Sequence, residues 1–77
     1  MTITVYFFGS LVDITSVSKK ELPILMDTNS LNLHLQKEYP ALVNTKYFIA
    51  VNQQMIKANR NLIHGDIVAF MPPFSGG

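Results

Sequence analysis

The sequence closes on Pro72-Pro73-Phe74-Ser75-Gly76-Gly77, a run whose residue types bear directly on chemistry. Neither proline can extend a β-ladder, because each lacks a backbone N–H and has a fixed φ, so the pair stops a strand and holds the chain beyond it extended. Six residues at ~3.3 Å each reach on the order of 20 Å from a domain, far enough to enter the active site of another protein. Gly76 and Gly77 have no Cβ, so their backbone can pass a narrow channel and adopt conformations closed to other residues. A terminal carboxylate on Gly77 is a poor electrophile. Activated by ATP as an acyl-adenylate, it becomes open to a sulfur nucleophile, and the product is a thiocarboxylate. The sequence has no cysteine. That excludes a disulfide framework, a cysteine zinc site and a thiol nucleophile, so sulfur carried by this chain must sit on another atom. A diglycine end alone is weak evidence. A strand, two prolines, an aromatic, a small residue and then Gly-Gly make a stronger case together.

The remaining chemistry-bearing residues point nowhere comparable. His34 and His64 are the two imidazoles and lack the local spacing of a metal pair. The serines fall in no Gly-x-Ser-x-Gly pattern. No metal site and no independent active site is expected. Six Lys and Arg stand against five Asp and Glu, scattered rather than striped, which argues against nucleic acid as a partner. No apolar run approaches the ~20 residues of a membrane span, and Met-Thr-Ile-Thr-Val has no secretory character. A cytoplasmic protein without a membrane partner is expected. Charged residues make up 14% of the 77, against a typical ~25%, which suggests a surface partly covered by another molecule.

The elements that must position the tail are few. From Ile3 to Phe8 the sequence alternates, with Ile3, Val5 and Phe7 on one face and Thr4, Tyr6 and Phe8 on the other, as in a half-buried strand ended by Gly9. One or two helical turns fit Ser10 to Ser16. Lys19 to Met26 reads as a second strand, and Pro23 assigns it to a sheet edge or a bulge. Asp27-Thr28-Asn29-Ser30 caps a helix carrying Leu31, Leu35 and Tyr39 on one stripe and stopped by Pro40. Lys46 to Val51 predicts a strand, Asn52-Gln53-Gln54 a turn, Met55 to Ala58 a short strand, and Ile67 to Met71 the last strand after the turn at His64-Gly65-Asp66. The two most apolar strands, first and last, are expected side by side and parallel in the middle of the sheet. This is an α+β arrangement, a β-grasp or ubiquitin-like mixed sheet of four to five strands with one main helix across one face. It places the domain at residues 1–71 and an extended diglycine tail at 72–77.

Val51-Asn52-Gln53, Leu62 three residues before Gly65-Asp66, Val68-Ala69-Phe70 and the closing Pro-Pro-Phe-Ser-Gly-Gly resemble the MoaD family, the small sulfur-carrying subunits of molybdopterin synthase. The Tyr39-Pro40 helix end and Val5-Tyr6-Phe7-Phe8 extend the resemblance over nearly the whole chain. It implies that a ubiquitin-activating-type adenylyltransferase uses ATP to adenylate Gly77, with Gly76 giving access, and that no cofactor is bound permanently. A sulfur-transfer protein then supplies sulfur. The tail next enters the large synthase subunit, in a heterotetramer, to build the dithiolene of molybdopterin. The resemblance also implies an apolar partner-binding patch at Phe8, Met55 and Met71, continued by Pro72, Pro73, Phe74 and Ser75. One departure concerns the Gly-Asp turn, where relatives often carry acids and this chain has Lys57, Arg60, His64 and Ile67. The alternatives are a ThiS-type carrier for thiazole synthesis, a protein-conjugating modifier, and an interaction module whose tail does no chemistry. The double proline argues against the first.

Overall fold

The computed structural model describes residues 1–73. The chain forms β1 (Thr2–Phe7), α1 (Leu11–Thr15), β2 (Lys19–Pro23), α2 (Thr28–Glu38), a 3-10 turn (Pro40–Asn44), β3 (Phe48–Val51), β4 (Gln54–Met55) and β5 (Ile67–Met71). The five strands make one mixed sheet in the order β2-β1-β5-β3-β4. β1 and β5 are parallel and central, with Thr4 opposite Ile67 and Phe7 opposite Phe70. β2 is antiparallel to β1, and β3 antiparallel to β5. The expected central parallel pair and the α+β class are therefore present.

Alternation decides which side chains make the core. Ile3, Val5 and Phe7 of β1 and Val68 and Phe70 of β5 are buried on one face of the sheet. They form a single apolar cluster with Leu31 and Leu35 of α2 and Leu42 of the 3-10 turn. Burying each such side chain contributes roughly 1.5–3 kcal/mol, so this cluster is the main stabilising feature of a small domain. Tyr39 adds an edge-on contact to Phe7, with ring centres 6.2 Å apart and planes at 76°.

Helix α2 starts where the cap residues predict. Asp27 is extended (φ −154°), and its carboxylate accepts the Ser30 N–H at 2.8 Å. Asn59 fastens a distant loop to this corner. Its amide nitrogen donates to the other Asp27 oxygen at 3.1 Å, and its carbonyl accepts the Asn29 N–H at 2.9 Å. These bonds, the Ser30 N–H first among them, hold the Asp27 carboxyl below its ordinary pKa.

Three strands differ from the sequence reading by more than one residue at an end, and one element was not expected. β2 ends at Pro23 rather than Met26, because its partner begins at Thr2 opposite Pro23. β3 begins at Phe48 rather than Lys46, since Phe48 faces Met71 and the next residue of that partner, Pro72, has no N–H to offer. β4 is only Gln54–Met55, not Met55 to Ala58, because the chain departs toward the Asn59 clasp. The 3-10 turn after Pro40 had no sequence expectation. Leu42 is its single buried residue, which is too little for a periodic pattern. No helix among the described residues is long and apolar enough to cross a membrane.

Candidate functional site

The root of the tail is defined by where β5 ends. Phe8 N–H donates to the Phe70 carbonyl at 3.0 Å, which closes the β1–β5 ladder. One residue later Gly9 turns with φ +57°, and a Cβ there would lie 3.0 Å from Pro72 Cγ and 3.5 Å from its Cδ. Gly9 therefore answers two demands, a left-handed backbone and a proline ring packed against it. Pro72 is half-buried in this contact and Pro73 is exposed. In the sequence Gly9 read only as the end of a strand. Its contact with Pro72, far along the chain, has no local signature.

The face of the sheet turned away from α2 is apolar and open. Tyr6 and Phe8 project from β1 with their rings stacked, centroids 6.3 Å apart. The register carries the face across β5 through Ile67, Ala69 and Met71 and onto β3 and β4 through Phe48, Ala50 and Met55. Phe8 is 49% exposed, Met55 54%, Phe48 46% and Ile67 47%, while Met71 is half-buried. Phe8, Met55 and Met71 thus lie on one face, opposite the helix, rather than beneath it. A shallow cavity of about 320 Å³ opens there between Tyr6, Phe8, Gln53, Ile67 and Ala69. Tyr6, Phe48 and Ile67 were not among the sequence-expected site residues. Alternation alone places Tyr6 with Phe8 and Ile67 with Met71, whereas Phe48 required the strand register.

The lower rim of this face is fixed by a polar clasp. Asp66 is buried, and its carboxylate accepts the Asn52 side-chain amide at 2.9 Å and the Ile63 N–H at 2.8 Å. Asn52 in turn accepts the Ile67 N–H at 3.0 Å. This holds the tight β3–β4 turn, where Asn52 and Gln53 have φ of 50° and 69°, against the start of β5. The Gly65-Asp66 turn is accordingly a brace. His64 also has a local task, its Nδ1 accepting the Thr2 N–H at 2.9 Å.

Charge gathers at the edges. Lys20 of β2 is ion-paired and hydrogen-bonded to Glu38 and donates to the Tyr39 hydroxyl at 3.1 Å, which ties the sheet edge to the end of α2. The pairing raises the Lys20 pKa and lowers that of Glu38. His34 lies 3.7 Å from the same carboxylate. Among the described residues no three His, Asp or Glu side chains gather where a metal could be held. Phe74, Ser75, Gly76 and Gly77, the remaining residues assigned to the tail chemistry, lie outside the described residues.

A family model described as the ThiS family matches residues 5–77. The chain belongs to the ThiS family. Its fold is shared with a protein of Pyrococcus furiosus assigned as molybdopterin converting factor subunit 1, at TM-score 0.85 and 19% identity, over 95% of this chain and 98% of that one. The complex of subunits 1 and 2 of the molybdopterin-converting factor from Helicobacter pylori contains a chain 26% identical, with TM-score 0.76 and all of both chains covered. Small archaeal modifier protein 1 of Methanosarcina acetivorans is also similar, at TM-score 0.83 and 21% identity over 99% of this chain and 96% of that one. The β-grasp fold expected from the sequence is therefore that of the ThiS/MoaD type, shared with molybdopterin converting factor subunit 1 and small archaeal modifier protein 1.

Proposed function

We propose that this ThiS-family protein is a sulfur carrier and serves as the small subunit of a molybdopterin synthase. The observation that carries the reading is the junction of tail and face. β5 delivers Pro72 onto Gly9 beside Phe8, so the root of the tail at Pro72 stands at the rim of the open apolar face. A partner docked on that face receives the tail in the same binding event.

The chemistry runs in three steps. An adenylating partner lets a Gly77 carboxylate oxygen attack the α-phosphate of ATP, releasing pyrophosphate. Hydrosulfide, sulfur at the sulfide level released by a sulfur-transfer protein, then attacks the acyl carbon, displaces AMP and leaves a thiocarboxylate. The charged tail finally enters a large subunit, where its sulfur bonds to a pterin precursor and water cleaves the acyl C–S bond, leaving the sulfur on the precursor and restoring the carboxylate. The side chains of the present chain bind and aim, and the acid–base groups belong to the partners. The Helicobacter likeness, a complex of two subunits, supports a large-subunit partner.

Intact-mass analysis tests the reading. After incubation with an adenylating enzyme, ATP and a sulfur source, the chain should gain the mass difference between sulfur and oxygen, confined to its C-terminal peptide. Removing Gly77 should abolish that gain while leaving large-subunit binding intact. Persistent absence of the shift sinks the carrier assignment. Covalent ladders on target lysines would instead identify a conjugating modifier. Restoration of molybdopterin formation in a strain lacking its own small subunit separates this pathway from other sulfur carriers.

A further inference from the structure

A second surface lies along the outer edge of β3. β4 covers that edge only at Ala50 and Val51, and Ile56 N–H then donates to the Ile49 carbonyl at 3.0 Å before the chain departs. Asn52 N–H bonds to the Ile67 carbonyl at 2.7 Å, so the alternation directs the backbone groups of Phe48 and Ala50 toward β5 and those of Tyr47 and Ile49 toward the open edge. Among the described residues, neither backbone group of Tyr47 has a hydrogen-bond partner, and the Ile49 N–H faces the same edge. An unpaired edge of this kind is a template for an added strand.

A groove runs beside this edge. Two adjoining cavities of about 230 and about 440 Å³ share Asn32, Tyr47, Phe48 and Ile49 in their walls. The Tyr47 ring between them is pinned by α2, its hydroxyl donating to Asn32 and accepting from the Gln36 amide at 3.1 Å. Each cavity has one charged lining residue, Lys57 in the first and Lys46 in the second, and both lysines are exposed. No carboxylate lines either cavity.

We propose that this groove is a second protein-docking site, which adjoins the open face at Phe48 but offers a strand edge rather than a sheet face. It takes an extended acidic segment of a partner protein, added as a strand to β3 at Tyr47 and Ile49. Apolar side chains of the segment sit over Ile49 and Ile56, and acidic ones meet Lys46 and Lys57. Charge selects this occupant over the two nearest competitors. The chain's own residues 74–77, Phe-Ser-Gly-Gly, have no acidic side chain with which to answer a lysine in each cavity. The opposite sheet edge of a second copy, β2, offers one carboxylate, Glu21, beside the like-charged Lys19, while its Lys20 is already paired with Glu38, so it cannot answer a lysine in each cavity. Because Pro73 lines the second cavity, a segment bound here lies at the root of the tail.

The test uses the full-length isotope-labelled chain and a capped peptide of sequence Glu-Val-Ile-Val-Asp. Its titration should shift the backbone amide signals of Tyr47, Ile49 and Lys57. Replacing the peptide's acids by amides, methylating its alternate backbone nitrogens, or introducing Lys46→Glu with Lys57→Glu should each weaken binding by about tenfold or more. Should the double variant fail to fold, the two altered peptides decide on the unmodified protein. Shifts confined to Phe8 and Met71, equal binding of the neutral peptide, or no binding would overturn the proposal. So would a chain ending at Pro73 whose groove signals change without peptide, since the tail would then be the occupant.

Discussion

The two faces of the sheet are built from the same strands and even from neighbouring residues, yet they meet different surroundings. On the inner face Val5, Phe7, Val68 and Phe70 are sealed beneath α2 and the 3-10 turn, each 2% exposed or less. On the outer face Phe8 and Ile67, one residue away from Phe7 and Val68, are about half exposed, at 49% and 47%. The inner face accounts for the fold. The outer face keeps Phe8, Ile67, Phe48 and Met55 about half exposed, a contiguous apolar patch of the kind that marks an interaction surface. Residue type therefore says little about role here. The role follows from which way the strand turns each side chain.

The comparison can be broken most severely from the inside. Phe70→Ala should cost about 3–5 kcal/mol, enough to unfold most of a domain whose whole stability is of order 5–15 kcal/mol, as chemical denaturation will measure. Phe8→Asp with Met71→Asp should do the reverse. Binding of the large subunit should fall by about 2 kcal/mol or more, read by calorimetry, with the unfolding midpoint nearly unchanged. If that variant unfolds, the outer face belongs to the core and the contrast fails.

Gly9→Ala probes the seam between the faces. It should cost about 1 kcal/mol, because alanine resists φ +57° and its Cβ meets Pro72. A slower transfer of sulfur at unchanged partner affinity would show that the Gly9–Pro72 contact aims the tail. The smallest effect lies at the Lys20–Glu38 edge pair. Such half-exposed pairs contribute under about 1 kcal/mol. Glu38 is lowered from 4.5 by the hydrogen bond from Lys20, so its share is complete above that value and is lost as pH falls through the lowered pKa. Lys20 is raised from 10.5 by the same bond, so its share is complete below that value and is lost as pH rises through the raised pKa. Glu38→Gln should flatten both limbs of a stability profile and leave a plateau near neutrality.

Much of this was legible in the residue pattern. Alternation in Ile3–Phe8 and Ile67–Met71, the Asp27 cap with the Leu31–Leu35 stripe, and the stop at Pro40 are local signals, and the chain obeys them. The face on which Phe8 and Met71 lie was readable by parity for the same reason. What escaped were features made by residues far apart in sequence. Asn59 bonding to Asp27 and Asn29, Asn52 bonding to Asp66, and Gly9 meeting Pro72 each join segments that no periodicity connects. The shortened β3 and β4 belong to the same class, since a strand ends where its partner stops offering hydrogen bonds.

The sequence by itself determined the element order, the mixed sheet with its central parallel pair, the absence of any thiol, and a diglycine run behind two prolines. Those follow from side-chain volume, period and backbone chemistry, which are properties of the chain at each position. Only the tertiary structure decided that the outward residues of β1, β5, β3 and β4 join into one open face, and that Phe48 belongs to it. It alone set Pro72 against Gly9 at the rim of that face, and left the Tyr47–Ile49 edge beside a lysine-flanked groove. Register and the packing of one element on another fix these, and both depend on contacts between segments that the linear order keeps apart.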